Sequence, residues 1–171
     1  MTFNDLVLTP QGVRFMGRLI PCSIGRGGIT DDKREGDGAT PTGCHRIVGG
    51  AYRRDRMQHP WASARGPFRM RPIGLTDIWS DDVNDPSYNH GFAAPDHPFS
   101  HEKMRRADGL YDLVLMTDWN WPDATPGKGS AIFLHVWRAP HYPTAGCVAF
   151  AKPDLLWITQ RIGPDTRLIV R

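Results

Sequence analysis

The stretch IFLHVWRAPHYPTAGCVAF, residues 132–150, decides the fold and delivers two reactive side chains. Two runs rich in β-branched and aromatic residues flank a loop with two prolines, which predicts two neighbouring strands. His135 ends the first four-residue run, and Cys147 begins the second, directly after the small residues Ala145 and Gly146. A buried hairpin with an incidental histidine and cysteine fits this stretch equally well. The rest of the chain is therefore needed to distinguish such a hairpin from an active site.

Composition places the chain among ordinary folded domains. Of its 171 residues 40% are hydrophobic and 23% charged, which suits one domain over residues 1–171. The 18 glycines and 15 prolines exceed their usual share, so we expect many turns and a fold that is mainly β with short helices. A net charge of +3, with scattered basic residues, gives no reason to expect a nucleic-acid partner. No run of about 18 apolar residues predicts a membrane span, and no secretory signal pattern is visible.

One long irregular region separates the predicted strands. This region, about residues 50–108, is rich in proline, histidine, aspartate and aromatic residues without periodicity, which indicates a substrate loop. Within it, residues 100–104 are predicted to open a brief helix. After it, the pattern predicts strands at 110–117, 132–137, 147–150 and 166–171, and an amphipathic helix at 152–162.

Cys147 and His135 form the candidate catalytic pair. A cysteine becomes a nucleophile when its thiolate is stabilised, so we expect a lowered pKa for Cys147, with His135 as its base. Gly146 allows a close backbone approach, and its N–H together with that of Cys147 is a candidate oxyanion hole. The alternative is an inert buried thiol, because free cysteine is among the most buried residue types.

A metal site is the weaker alternative for these residues. His135, His141 and Cys147 are evenly spaced, and zinc accepts such ligands, but the spacing matches no common zinc pattern and no fourth ligand is evident nearby. We therefore expect no metal and no cofactor. Cys44 and His45 are adjacent in a predicted strand, point to opposite faces and are interpreted as structural.

Three blocks resemble the L,D-transpeptidase catalytic domain, often called the YkuD-type domain. They are GDGATPTGCHRI, GSAIFLHVW with the histidine, and TAGCVAF with the cysteine, and the resemblance extends over about residues 33–171. It implies a YkuD-like β-sandwich. Three positions depart from the family pattern: Val136 replaces a glycine, Ala145 a histidine, and Ala149 an arginine.

The resemblance implies that the substrates are peptidoglycan stem peptides, as donor and as acceptor. Cys147 would attack the carbonyl on the L side of an L–D bond, and a second stem's amine would resolve the thioester into a 3–3 or 1–3 cross-link. With water as acceptor the same site would be a carboxypeptidase or endopeptidase. The resemblance also implies a cell-envelope location, although the absence of a signal pattern leaves the cytoplasm open, and carbapenems as inhibitors. We further expect a monomer.

Two other protein classes remain as alternatives. A sortase-like or papain-like peptidase would use the same residue types, but papain-like enzymes place the cysteine before the histidine, and TAGC is the wrong context for a sortase cysteine. A non-catalytic peptidoglycan-binding module would have no need for the intact pair of His135 and Cys147.

Substrate-binding residues are expected in two places. The first is the segment WSDDVNDPSYN, residues 79–89, whose aromatic side chains could cover a sugar and whose carboxylates could bind an amine. The alternative is that its aromatic residues only hold a long loop in place. The second place flanks the catalytic pair. The candidates from both places are Trp79, Asp81, Asp82, Tyr88, Asn89, Trp137, Arg138 and Thr144.

Overall fold

Short runs of β-branched and aromatic residues, interrupted by glycine and proline, form the strands of this protein. A computed structural model describes residues 2–58, 60 and 68–171. In this described part the fold is mainly β with a single short helix, which confirms the predicted fold class. The strands in chain order are β1 Leu6–Thr9, β2 Gly12–Phe15, β3 Arg18–Ile20, β4 Cys22–Ser23, β5 Ile29–Thr30, β6 Thr40–Pro41, β7 Gly43–Tyr52, β8 Met70–Pro72, β9 Asp77–Ser80, β10 Gly91–Ala93, β11 His101–Lys103, β12 Leu113–Thr117, β13 Phe133–Val136, β14 Val148–Phe150 and β15 Arg167–Val170.

Most strands belong to one large sheet. Its order is β3-β2-β1-β15-β7-β12-β13-β14-β4, and β8 pairs in parallel with the end of β7. The ten-residue strand β7 lies near the middle and pairs with both β12 and β15. β13 and β14 are parallel neighbours, so the two strands predicted around the catalytic pair do lie side by side.

Strand periodicity places the histidine and the cysteine on one face of this sheet. Leu134 and Val136 of β13 point into the larger core, where the helix packs against the sheet. Because successive side chains of a strand alternate, Phe133 and His135 point to the opposite face. Cys147 lies two residues before Ala149, which pairs with His135 in the ladder, and therefore shares that second face. The two reactive side chains are thus diagonal neighbours across the ladder.

The region predicted to be irregular contains a second sheet. Strands β10, β9 and β11 form a three-stranded antiparallel sheet, in which Trp79 of β9 pairs with Gly91 and Glu102. The predicted brief helix at residues 100–104 is therefore wrong, because backbone pairing with β9 draws this segment into β11. Residues 59 and 61–67 of the predicted loop lie outside the described residues.

The second sheet covers the reactive face of the first. A buried cluster joins the two sheets, consisting of Ala51, Ile73, Trp79, Met104, Tyr111, Val114, Ala131, Phe133 and Cys147. The Trp79 ring meets the Phe133 ring edge-on at 4.8 Å between centroids. This covering removes water from Cys147, which determines the electrostatics of the site.

The helix α1, Lys152–Thr159, follows β14 directly. Pro153 lies in its first turn, where a missing N–H costs no hydrogen bond, and Asp154 supplies an acidic side chain near the N-terminus. The helix ends at Thr159, three residues earlier than predicted. In the part of the chain that the structure describes, no helix is long and apolar enough to cross a membrane.

Candidate active site

The cysteine follows a turn that requires glycine. Gly146 has φ = 142°, a backbone conformation that residues with a side chain rarely adopt. A Cβ at this position would also lie 2.9 Å from the carbonyl oxygen of Ala39. The Gly146 N–H donates to the Thr144 hydroxyl at 3.1 Å, and that hydroxyl donates to the Cys147 carbonyl at 2.7 Å. The turn therefore presents Cys147 in one fixed orientation.

The segment GDGATPTG holds this turn from the other side. The Thr40 hydroxyl donates to the Gly146 carbonyl at 2.8 Å and accepts the Gly25 N–H at 3.0 Å. Thr144 forms backbone hydrogen bonds with Ile24 and Arg26, each of 2.9 Å. Thr40 is fully buried, so these bonds are protected from water. The threonine of the Thr-Pro block is thus a structural support of the turn before Cys147.

Cys147 itself is buried and hydrogen-bonded to backbone groups. Its thiol donates to the Ala131 carbonyl, with 3.1 Å between Sγ and oxygen, and Sγ accepts the Phe133 N–H at 3.4 Å. In this resting arrangement the thiol proton is directed at Ala131 and not at His135. Proton transfer to His135 would therefore require the thiol to turn away from Ala131.

His135 is held as a neutral base. Its Nδ1 lies 2.8 Å from the Val136 carbonyl oxygen, and because a carbonyl only accepts, the proton belongs on Nδ1. Nε2 then carries the free lone pair that a general base needs. The Tyr111 ring packs edge-on against the imidazole at 5.4 Å between centroids and fixes its orientation.

The expected low thiol pKa is wrong for the resting protein. Burial raises the pKa of Cys147 to about 12, although the Phe133 N–H acts in the opposite direction. Burial also lowers the pKa of His135 to about 4. Both shifts have the same origin, because removing water disfavours the charged form of either group. Near neutral pH the pair is therefore a thiol and a neutral imidazole.

A cleft of about 330 Å³ opens above these two residues. Among the residues predicted from sequence, the cleft brings together His135, Cys147, Thr144 and Arg138. The described residues that line it are Arg26, Glu102, Arg106, Leu110, Tyr111, His135, Arg138, Tyr142, Pro143, Thr144, Ala145 and Cys147. Two further predicted residues are not part of this lining: Gly146, which precedes Cys147 in the chain, and the half-buried Trp137.

A comparison of the chain with models of protein families gives a match. Residues 6–170 match the family model YkuD, described as the L,D-transpeptidase catalytic domain. The chain belongs to this family. The match covers nearly the whole chain. No curated protein and no solved structure matches it.

The YkuD family acts on peptidoglycan stem peptides, and the three departures noted in the sequence can be placed in this YkuD domain. Ala149 is fully buried beside His135 in the ladder, on the face that carries the catalytic pair. Ala145 is exposed at the cleft, and Val136 points into the larger core. Three guanidinium groups, those of Arg26, Arg106 and Arg138, lie around the cleft.

The segment 79–89 lies behind the cleft, and none of its predicted residues lines it. Trp79 Nε1 donates to Asn89 Oδ1 at 3.0 Å, and the same oxygen accepts the Ala131 N–H at 2.9 Å. Ala131 has φ = 51°, unusual for a residue with a side chain, and its carbonyl accepts the thiol proton of Cys147. Trp79 and Asn89 thereby hold the backbone that positions the Cys147 thiol.

The other members of this segment hold the loop itself. Tyr88 is buried, and its hydroxyl donates to Glu35. Asp82 accepts the N–H groups of Asn84 and Ser100, at 2.9 and 3.2 Å, and these bonds lower its pKa. One carboxylate oxygen of the half-buried Asp81 is buried without a hydrogen bond within the described structure.

Two of the cleft residues that were not identified from sequence interact with each other. Glu102 and Tyr111 lie beside the pair, and the Tyr111 hydroxyl donates to the Glu102 carboxylate. The pairing of β11 with β9 places Glu102 opposite Trp79, and the sequence of residues 100–104 does not reveal this distant partner. Tyr111 lies two residues before the start of β12, and its side chain packs in the buried cluster with Phe133 and Cys147.

The alternative metal ligands do not come together. His141 is exposed on the loop between β13 and β14 and lines a separate depression with Cys22 and Ile24. Within residues 2–58, 60 and 68–171, no three His, Cys, Asp or Glu side chains are grouped as metal ligands would be. Cys44 is exposed and His45 buried, as expected for neighbours on opposite faces of β7.

Proposed function

We propose that this protein is a cysteine-dependent L,D-transpeptidase, which transfers an acyl group from an L–D bond of one peptidoglycan stem peptide to the amine of a second. The observation that carries this proposal is the pair in the cleft. Cys147 Sγ and a neutral His135, with Nε2 free, lie on one face of two adjacent strands. We place the activity in the cell envelope, where the substrate is.

In the first half-reaction Cys147 Sγ attacks the carbonyl carbon on the L side of the bond, and His135 Nε2 takes the thiol proton. The C–S bond forms, the C–N bond breaks, and the proton passes from His135 to the departing amine. Both groups are buried and therefore uncharged near neutral pH. The thiolate and the imidazolium consequently form only together with the attack. The ion pair is therefore formed when a substrate is present to use it.

The developing oxyanion is stabilised by backbone N–H groups at the turn. The Gly146 N–H bonds at rest to the Thr144 hydroxyl, and a substrate oxygen entering the cleft would replace that hydroxyl as the acceptor. Arg26 and Arg138 are exposed at the cleft and form no ion pair within the described structure. They bind the carboxylates of the stem peptide in this proposal.

In the second half-reaction the amine of an acceptor stem attacks the thioester, so that a C–N bond forms as the C–S bond breaks. Attack by water in its place gives hydrolysis. The position of the cross-link, 1–3 or 3–3, follows from which L–D bond enters the cleft. We also propose that carbapenems acylate Cys147 and that the protein acts as a monomer.

The test is incubation of the protein with muropeptides, followed by mass spectrometry of the products. We expect cross-linked dimers with the wild type and with Cys44→Ala or Cys22→Ala, and neither dimers nor hydrolysis with Cys147→Ala. His135→Ala should lose about 10²–10⁴-fold in rate, the usual contribution of general acid–base catalysis. A Cys147→Ala protein with wild-type activity would remove the basis of the proposal, and hydrolysis without dimers would replace transfer by carboxypeptidase or endopeptidase activity.

A further inference from the structure

Glu102 is a carboxylate that the proposed chemistry does not yet use. It is the central residue of β11, lies opposite Trp79, and is half-buried in the lining of the cleft with His135 and Cys147. Among the described residues that line the cleft, Glu102 alone is acidic, whereas three are arginines. A single carboxylate beside the reacting atoms indicates a cationic group on a substrate.

One of its oxygens is already fixed by a neighbour. Oε2 accepts the Tyr111 hydroxyl, and the Tyr111 ring packs against His135 at 5.4 Å between centroids. Through Tyr111, the carboxylate therefore holds a defined position relative to the base. Oε1 has no hydrogen bond in the described part of the chain and remains available to a ligand.

Glu102 also lacks a counter-ion of its own. Within the described structure it forms no ion pair, and the nearby Arg106 directs its guanidinium to Asp108 through two hydrogen bonds of 2.8 Å. Burial raises the pKa of Glu102, although the Tyr111 hydroxyl and the charge of Arg106 act in the opposite direction. A bound ammonium group would offset this effect of burial.

We propose that Glu102 binds the primary ammonium group of the acceptor and takes its first proton before attack on the thioester. This rests on the proposed transferase function. The ammonium R–NH₃⁺ gives one proton to the Glu102 carboxylate and becomes R–NH₂. The nitrogen then attacks the thioester carbon, the C–N bond forms as the C–S bond breaks, and the second proton passes through His135 to the Cys147 thiolate. The products are the amide, a neutral thiol and a protonated Glu102.

The chain provides a matched control for this carboxylate. Glu35 is likewise half-buried and accepts a tyrosine hydroxyl, that of Tyr88, but it does not line the cleft. Glu102→Gln and Glu35→Gln therefore remove the same charge from similar tyrosine–glutamate pairs. Only the first removes a charge that an acceptor can reach.

The experiment separates acylation from transfer. Intact-protein mass spectrometry follows the thioester on Cys147 from a muropeptide donor, and product analysis gives the ratio of cross-linked to hydrolysed product at increasing acceptor concentration. For Glu102→Gln we expect the thioester on Cys147 still to form, with any change in acylation much smaller than the loss of transfer. Its ratio of transfer to hydrolysis should fall by about 10- to 100-fold, the factor for one charge-assisted hydrogen bond. Glu35→Gln should keep the wild-type ratio.

The experiment distinguishes failure of the Glu102 assignment from failure of the transferase proposal. If the wild type forms no thioester or no dimers, the transferase proposal itself fails. If the wild type forms both and Glu102→Gln keeps the wild-type ratio, or loses acylation and transfer equally, the assignment of Glu102 to the acceptor is overturned.

A second measurement uses the wild type alone, in case Glu102→Gln does not fold. An acceptor analogue that carries a trimethylammonium group cannot react but keeps the charge, and its tert-butyl analogue is neutral with the same shape. We expect the charged analogue to inhibit transfer in competition with the acceptor and the neutral analogue not to. Equal inhibition by the two analogues would contradict a carboxylate subsite.

Discussion

Acid should destabilise this protein through His135, because the folded state holds its imidazole neutral. Burial lowers the pKa of His135 from 6.5 to about 4. Between these values the unfolded chain binds a proton that the folded protein does not, so the free energy of unfolding falls as the pH falls. At ~1.36 kcal/mol per pKa unit, this difference in pKa between the unfolded and the folded state corresponds to about 3 kcal/mol in the free energy of unfolding. This contribution to stability is fully lost below pH 4.

The variant His135→Gln isolates this contribution. A glutamine amide can still donate to the Val136 carbonyl but does not titrate. The other groups that titrate in this range, such as His45, whose pKa is also lowered by burial, and the aspartates, are present in both proteins and cancel. Urea unfolding followed by tryptophan fluorescence at pH 7.5 and pH 4 gives the two free energies for each protein. We expect the wild type to lose about 3 kcal/mol more than the variant.

The reasoning fails if both proteins lose the same free energy between these pH values. That result would mean that His135 is solvated or already charged in the folded state. The neutral thiol–imidazole pair would then have to be abandoned, whereas the positions of the strands would not be affected.

Three further predictions test the turn, the thiol and the covering loop. At pH 7.5 without substrate, iodoacetamide should label the exposed Cys44 before Cys147, because burial keeps the Cys147 thiol protonated. Peptide mapping gives the order of labelling, and faster labelling of Cys147 would contradict a protonated resting thiol. Gly146→Ala should destabilise the protein by roughly 1–3 kcal/mol in urea unfolding, since alanine is strained at this φ, and should lower the rate of acylation. Asp82→Asn should lower the melting temperature, because its carboxylate accepts backbone N–H groups, and leave the ratio of cross-linking to hydrolysis unchanged. A changed ratio at an unchanged melting temperature would instead support the substrate contact that the sequence suggested for Asp81 and Asp82.

The strands around the catalytic pair could be predicted because their information is local. The alternation in FLHV and the glycine before Cys147 are sufficient to predict two strands and a tight turn. The pairing of these strands then places His135 and Cys147 on one face. The same local logic failed for residues 100–104, because the partner of β11 is Trp79 and its neighbours, some twenty residues away in the chain.

The electrostatics of the pair could not be predicted from the motif. A histidine and a cysteine in sequence suggest a thiolate and an imidazolium, but their charge state depends on what covers them. Here Trp79 of β9 and Met104, which follows β11, pack in the same buried cluster as Cys147 and exclude water. This cover consists of residues that the sequence had assigned to a substrate loop.

The covering segment is connected to Cys147 by hydrogen bonds. Asn89, held by Trp79, fixes Ala131 in its unusual conformation, and the Ala131 carbonyl accepts the thiol proton of Cys147. A thiol bound in this way is a poor nucleophile until the proton moves to His135. In the proposed mechanism this proton transfer becomes favourable when a substrate carbonyl occupies the turn, because the forming bond and the backbone N–H groups then stabilise the charge that burial disfavours. In the proposed mechanism the segment 79–89 would therefore act on catalysis from behind the cleft, through the resting position of the thiol.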